Sequence, residues 1–95
     1  TTEGGLDLFA DPTRLMTCLE HLHAAGIRTS LFIDPDLRQI ARAADLKVPA
    51  IELHTGRYCH HPEVPAHLAA LRQAAVEARG MGLAVHAGHG LTLEN

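Results

Sequence analysis

Apolar runs that suit strands alternate with amphipathic stretches that suit helices along this whole chain, and the connections between them are short. That alternation restricts the fold more than any other feature. Strand, helix and strand in close succession form a right-handed βαβ unit, and repeated units build a parallel sheet. The pattern predicts a loop at Thr1–Leu8, a helix over Pro12–Ala25, a strand over Ile27–Ile33 and a helix over Asp36–Ala44. A strand over Val48–His54, a loop over Arg57–Pro65, a helix from Pro65 and a strand over Leu83–Ala87 follow, with a glycine-flanked turn around His89. The expectation is an α/β chain of three parallel strands alternating with three helices.

Local signals support each element. Asp11 precedes Pro12 as an N-cap precedes a proline in the first helical position. Leu15, Cys18, Leu19, Leu22 and Ala25 then form a stripe at helical spacing, with His21 and His23 off it and expected in solvent. Gly26 is the natural stop. Asp34-Pro35-Asp36 breaks the first strand and caps a helix whose apolar face reads Leu37, Ile40, Ala41 and Ala44. The last helix carries Leu68, Leu71, Ala75 and Ala78 on one face and closes at Gly80 or Gly82.

Composition removes several classes of function. The net charge is −3, no basic run is present, and there are one Tyr, two Phe and no Trp. Neither phosphate attraction nor base stacking supports nucleic-acid binding. No apolar stretch approaches the roughly 20 residues a membrane helix needs, and no signal peptide is visible. Cys18 and Cys59 lack C-x-x-C spacing, so buried thiols in a reducing compartment are expected, with one disulfide as the alternative. The chain begins at Thr1 rather than Met and ends just past a strand and its loop, which reads as an excerpt of something larger.

The candidate chemistry centres on Ala50–Gly56, AIELHTG. Alternation along a strand sends Ile51 and Leu53 one way and Glu52 and His54 the other. A parallel strand covered on both faces should be almost wholly apolar, so a carboxylate there must be paired, hydrogen-bonded or at work on a ligand. Glu52 and His54 on one face suit proton transfer or the holding of a developing cation. The competing reading pairs Glu52 with Arg57 and leaves His54 as a satisfied core histidine. His86 and His89 form a second group, with Gly88 and Gly90 letting backbone approach a ligand. A metal site built from His54, His60, His61, His86 and His89 has no HExxH or C-x-x-C spacing to support it. Thr1–Gly5 could cradle an anion, with a flexible connector as the default reading.

Four segments in order, TTEGGLD at Thr1–Asp7, SLFIDPD at Ser30–Asp36, IELHTGRY at Ile51–Tyr58 and AGHGLTLEN at Ala87–Asn95, resemble the pyridoxine 5′-phosphate synthase family. The resemblance runs the length of the chain. It implies part of a (β/α)₈ barrel, from the loop after strand four through strand seven, as a single partial domain over residues 1–95. A whole barrel typically takes about 250 residues. It further implies condensation of 3-amino-2-oxopropyl phosphate with 1-deoxy-D-xylulose 5-phosphate to pyridoxine 5′-phosphate, phosphate and water. No metal or organic cofactor is implied; a cytoplasmic homo-octamer is. By motif, His89 matches the proton donor and Glu52 the transition-state stabiliser. Thr1 matches a contact to the deoxyxylulose phosphate and Gly90 a contact to the aminoacetone phosphate. His54 and His86 are possible additions to the pocket.

Two departures stand out. The family commonly has Asn where this chain has His86, and often an aromatic residue where it has Leu93. The family's early catalytic His and Glu and its phosphate loop after the last strand have no counterpart here, so these 95 residues alone are expected to be inactive, with marginal stability or self-association from open sheet edges. The alternatives are a non-catalytic truncated remnant and a metal-dependent barrel hydrolase.

Overall fold

The computed structural model describes residues 5–88. Its elements are α1 (Pro12–Ala24), β1 (Ser30–Ile33), α2 (Leu37–Asp45), β2 (Ala50–His54), α3 (Gly56–His60), α4 (Pro65–Gly80) and β3 (Ala84–Gly88). The strands form one parallel sheet in the order β1-β2-β3. This is the α/β architecture of an arc of a (β/α)₈ barrel.

The helices start and stop for local reasons. Asp11 Oδ1 accepts the Arg14 N–H at 3.2 Å, and Asp36 Oδ1 accepts the Arg38 N–H at 2.8 Å, so both predicted N-caps form. After α1, Gly26 takes φ +76° while the Gly26 N–H reaches the His23 carbonyl and the Ile27 N–H the Leu22 carbonyl. That is a Schellman closure. It also explains why β1 begins at Ser30 rather than Ile27, since the Ile27 N–H is spent on the helix. Gly82 at φ +85° closes α4 in the same way. Lys47 holds that left-handed position after α2, at φ +60°.

The core lies between one face of the sheet and the helices. Leu31 and Ile33 of β1 and Ile51 and Leu53 of β2 are buried against Ile40 and Ala43 of α2 and Ala74 and Ala78 of α4, with Leu8, Val48 and Leu83 at its margins. The alanines keep the helix backbones close to the strands. The packing faces are rotated from those expected. Ala43 rather than Ala41 is buried on α2, where Leu37 is exposed; Ala74 is buried on α4, where Leu68 is exposed. Periodicity fixes a stripe's width, but its centre shifts by a residue with the tilt of the helix on the sheet.

Three expectations are corrected. Arg57–Pro65 is not wholly a loop, because Gly56–His60 forms the short helix α3. No residue of α1 is buried: Leu15 and Leu19 pack partly on the core, but Cys18 and Leu22 are exposed. Cys18 is therefore no buried thiol, and Cys59 is only half-buried; the two form no disulfide. The reason is shared, in that α1 has little of the described chain to pack against. Gly5–Leu8 also does more than loop, since the Leu6 N–H donates to the Phe32 carbonyl at 2.7 Å and lays this segment along β1. Among the described residues, no helix is long and apolar enough to cross a membrane.

Candidate functional site

Strand alternation puts Glu52 and His54 on the sheet face opposite the core, as their spacing predicts. Register completes the row. Phe32 of β1, Glu52 of β2 and His86 of β3 are paired positions, and His54 pairs with Gly88 one step nearer the carboxyl ends. Neighbouring parallel strands lie about 4.8 Å apart, so these side chains share one surface. That surface is not enclosed by the described residues: Phe32, Glu52 and His54 are half-buried and His86 is exposed. The expectation of burial on both faces is thus corrected, because the described helices cover one face only.

Two glycines make room for the two polar groups. The Glu52 carboxylate lies over the Cα of Gly88. A β-carbon at position 88 would meet Glu52 Oε1 and come within 3.1 Å of its Cδ. Likewise a β-carbon on Gly56 would meet the His54 ring at Cε1 and at Nδ1, the latter 2.9 Å away. His54 Nδ1 accepts the Gly56 N–H at 2.9 Å, and its ring tilts against Phe32 at 5.1 Å between centroids. Among the described residues no ion pair joins Glu52 to Arg57, so that competing account of the carboxylate fails.

Thr55 ties the turn after β2 to the end of β3. Its N–H and its hydroxyl both donate to the Gly88 carbonyl, at 3.1 and 2.6 Å, and it is a buried polar residue. Cys59 Sγ lies 3.5 Å from Thr55 Oγ1. Although Thr55 is the N-cap of α3, its side chain makes no capping bond to that helix and serves the neighbouring strand instead.

Of the residues singled out in the sequence, Glu52, His54 and His86 come together on one face, with Gly88 beneath them. Thr1, His89 and Gly90 lie outside the described residues. His60 and His61 do not join the row: they end α3, where His61 Nδ1 lies 3.4 Å from Glu63. No group of three potential metal ligands occurs among the described residues. Sequence reasoning missed Phe32, Gly56 and Thr55. The signal for Thr55 was a polar β-branched residue directly after a buried strand. Phe32 carried none beyond lying two residues before Asp34. Chemically, the face offers a carboxylate able to stabilise a cation or take a proton, beside imidazoles able to donate hydrogen bonds.

The whole chain, residues 1–95, matches the family described as pyridoxal phosphate biosynthesis protein PdxJ. Proteins named pyridoxine 5′-phosphate synthase are among its relatives. One from Opitutus terrae is 48% identical, covering 100% of this chain and 40% of the relative. One from Zymomonas mobilis is 50% identical, covering 100% and 38%, and one from Gluconobacter oxydans is 50% identical, covering 100% and 40%. The chain therefore spans about two fifths of the length of these curated relatives.

Proposed function

Because this chain belongs to the PdxJ family of pyridoxal phosphate biosynthesis proteins, we propose that the whole protein carrying it is a pyridoxine 5′-phosphate synthase. In this reading it condenses 3-amino-2-oxopropyl phosphate with 1-deoxy-D-xylulose 5-phosphate, releasing phosphate and water. Residues 1–95 supply one arc of the barrel, and the remaining catalytic groups come from outside this stretch. The reading extends to a cytoplasmic homo-octamer that uses no metal or organic cofactor.

The observation that supports it is the seating of the Glu52 carboxylate over Gly88, the residue immediately before His89. Joining an amine to a ketone passes through protonated imines, which carry positive charge on nitrogen. A carboxylate about 4 Å from such a cation stabilises it by about 4 kcal/mol at an effective dielectric near 20, against about 1 kcal/mol in water. Glu52 is assigned that task. His89 donates protons as water and phosphate leave, Thr1 contacts the deoxyxylulose phosphate, and Gly90 contacts the aminoacetone phosphate. His86 flanks Glu52 on the neighbouring strand.

The test is product formation by the whole polypeptide from the two substrates, measured for wild type, Glu52→Gln and His89→Asn. Each substitution is expected to lower kcat about 10²–10³-fold, the scale for removing one preorganised electrostatic group. No pyridoxine 5′-phosphate from wild type, or full activity in Glu52→Gln, would overturn the assignment.

A further inference from the structure

We propose that His86 is the base that frees the substrate amine for attack, working across from Glu52; this rests on the synthase reading above. His86 and Glu52 are paired positions on β3 and β2 and share the open face of the sheet, where His86 is exposed. The Glu52 side chain leans across the strands, so that its carboxylate lies over Gly88. Gly88 is two residues beyond His86 on the same strand, about 6.6 Å from Cα to Cα. It carries no side chain, so the space above it is left between a carboxylate and an imidazole. Among the described residues no hydrogen bond or ion pair joins these two side chains or ties either to another group. The other titratable group on this face, among the described residues, is His54, whose Nδ1 accepts the Gly56 N–H. Helix α4 packs on the opposite face, through Ala74 and Ala78.

A carboxylate and an imidazole on either side of one gap suit an ammonium. The amine of 3-amino-2-oxopropyl phosphate is an ammonium at neutral pH, and an ammonium has no lone pair with which to attack a ketone. Glu52 attracts it but must stay ionised to hold the cations that follow. An imidazole is the stronger base of the two side-chain types and takes up a proton near neutral pH. The step balances within the site. An ammonium N–H bond breaks, its electrons stay on nitrogen, and the proton goes to the unprotonated ring nitrogen of His86. The nitrogen pair forms the C–N bond to the sugar-phosphate ketone as the C=O π pair moves onto oxygen. The imidazolium then returns its proton to that oxygen. One positive charge enters on nitrogen and one remains there, opposite Glu52, while His86 ends neutral.

The decisive experiment measures the initial rate of C–N bond formation by the whole polypeptide, read as the adduct of the two substrates trapped by cyanoborohydride, from neutral to alkaline pH. His86→Gln keeps a polar side chain that does not titrate, and the position is exposed, so Tm should not move. At neutral pH this variant should form the adduct about 10²-fold more slowly than wild type, the scale for losing one general base. The deficit should shrink as pH rises, because the amine then arrives already deprotonated. Added imidazole should raise the rate of His86→Ala and leave that of wild type unchanged. A His86→Gln rate that parallels wild type at every pH, or a His86→Ala rate that imidazole does not raise, would overturn the proposal. The two readings fail separately. Pyridoxine 5′-phosphate formation with a His86→Gln profile parallel to wild type removes the role of His86 alone. Adduct formation that depends on His86 in a protein that makes no pyridoxine 5′-phosphate removes the synthase reading alone, and a wild type that forms neither overturns both.

Discussion

The Thr55 hydroxyl donates to the Gly88 carbonyl at 2.6 Å, and the Thr55 N–H reaches the same oxygen at 3.1 Å. Two donors from one residue clamp the carboxyl end of β3 to the turn that leaves β2. The bond to Gly88 holds the backbone that leads into His89, the proposed proton donor. Valine at position 55 preserves the shape and the N–H but removes the hydroxyl. Thr55→Val is expected to cost about 1 kcal/mol, the usual net worth of one hydrogen bond. Thr55→Ser should retain most of the stability. Thermal unfolding of both variants of the whole polypeptide checks this; a loss in Thr55→Ser with none in Thr55→Val would mean that the methyl group, not the hydroxyl, matters.

Glycine substitutions should separate site from scaffold. An added β-carbon at Gly88 meets only the end of the Glu52 side chain, which can swing aside. Gly88→Ala is therefore expected to leave Tm nearly unchanged while lowering synthase activity at least about 10-fold, since the carboxylate is displaced from its seat. At Gly5 the same β-carbon meets backbone, with Ile33 Cα 2.6 Å away. Gly5→Ala should cost about 1–3 kcal/mol of stability, because β1 and the segment beside it must move apart. Paired Tm and activity measurements distinguish the two cases.

Acid should weaken the hold of the segment before α1. Hydrogen bonds from the Gln39 side chain and the Phe9 N–H, each 3.0 Å to Asp7 Oδ1, together with the nearby Arg38 guanidinium, keep the Asp7 carboxyl below the usual carboxylate range. Gln39 also accepts the Leu8 N–H at 2.9 Å, so the network pins Leu8, which is fully buried. A carboxyl whose pKa is lower folded than unfolded stabilises above its unfolded value, and the benefit is lost as pH falls through the folded one. Wild type should therefore lose stability below about pH 4, and Asp7→Asn should reduce that acid dependence while lowering Tm at neutral pH. An unchanged acid limb in Asp7→Asn would rule the network out.

The order of elements, both aspartate N-caps, the glycine stops and the facing of Glu52 and His54 all followed from signals acting over a few residues. Capping bonds span two or three positions, and side-chain alternation is a property of a single strand. Three things depended on context. Cys18 and Leu22 lie on an apolar stripe, yet nothing in the described chain covers them. The polar run after β2 hides the helix α3, because no side chain caps its start and only five residues form it. The Glu52 carboxylate reads as an anomaly until Gly88 is seen beneath it. The sequence by itself therefore determined the α/β pattern and which residue types share a strand face. Only the tertiary structure decided that Gly88 seats Glu52, that Phe32 flanks His54 and that Thr55 binds across 33 positions of chain, because strand order and register, not local preference, bring these residues together.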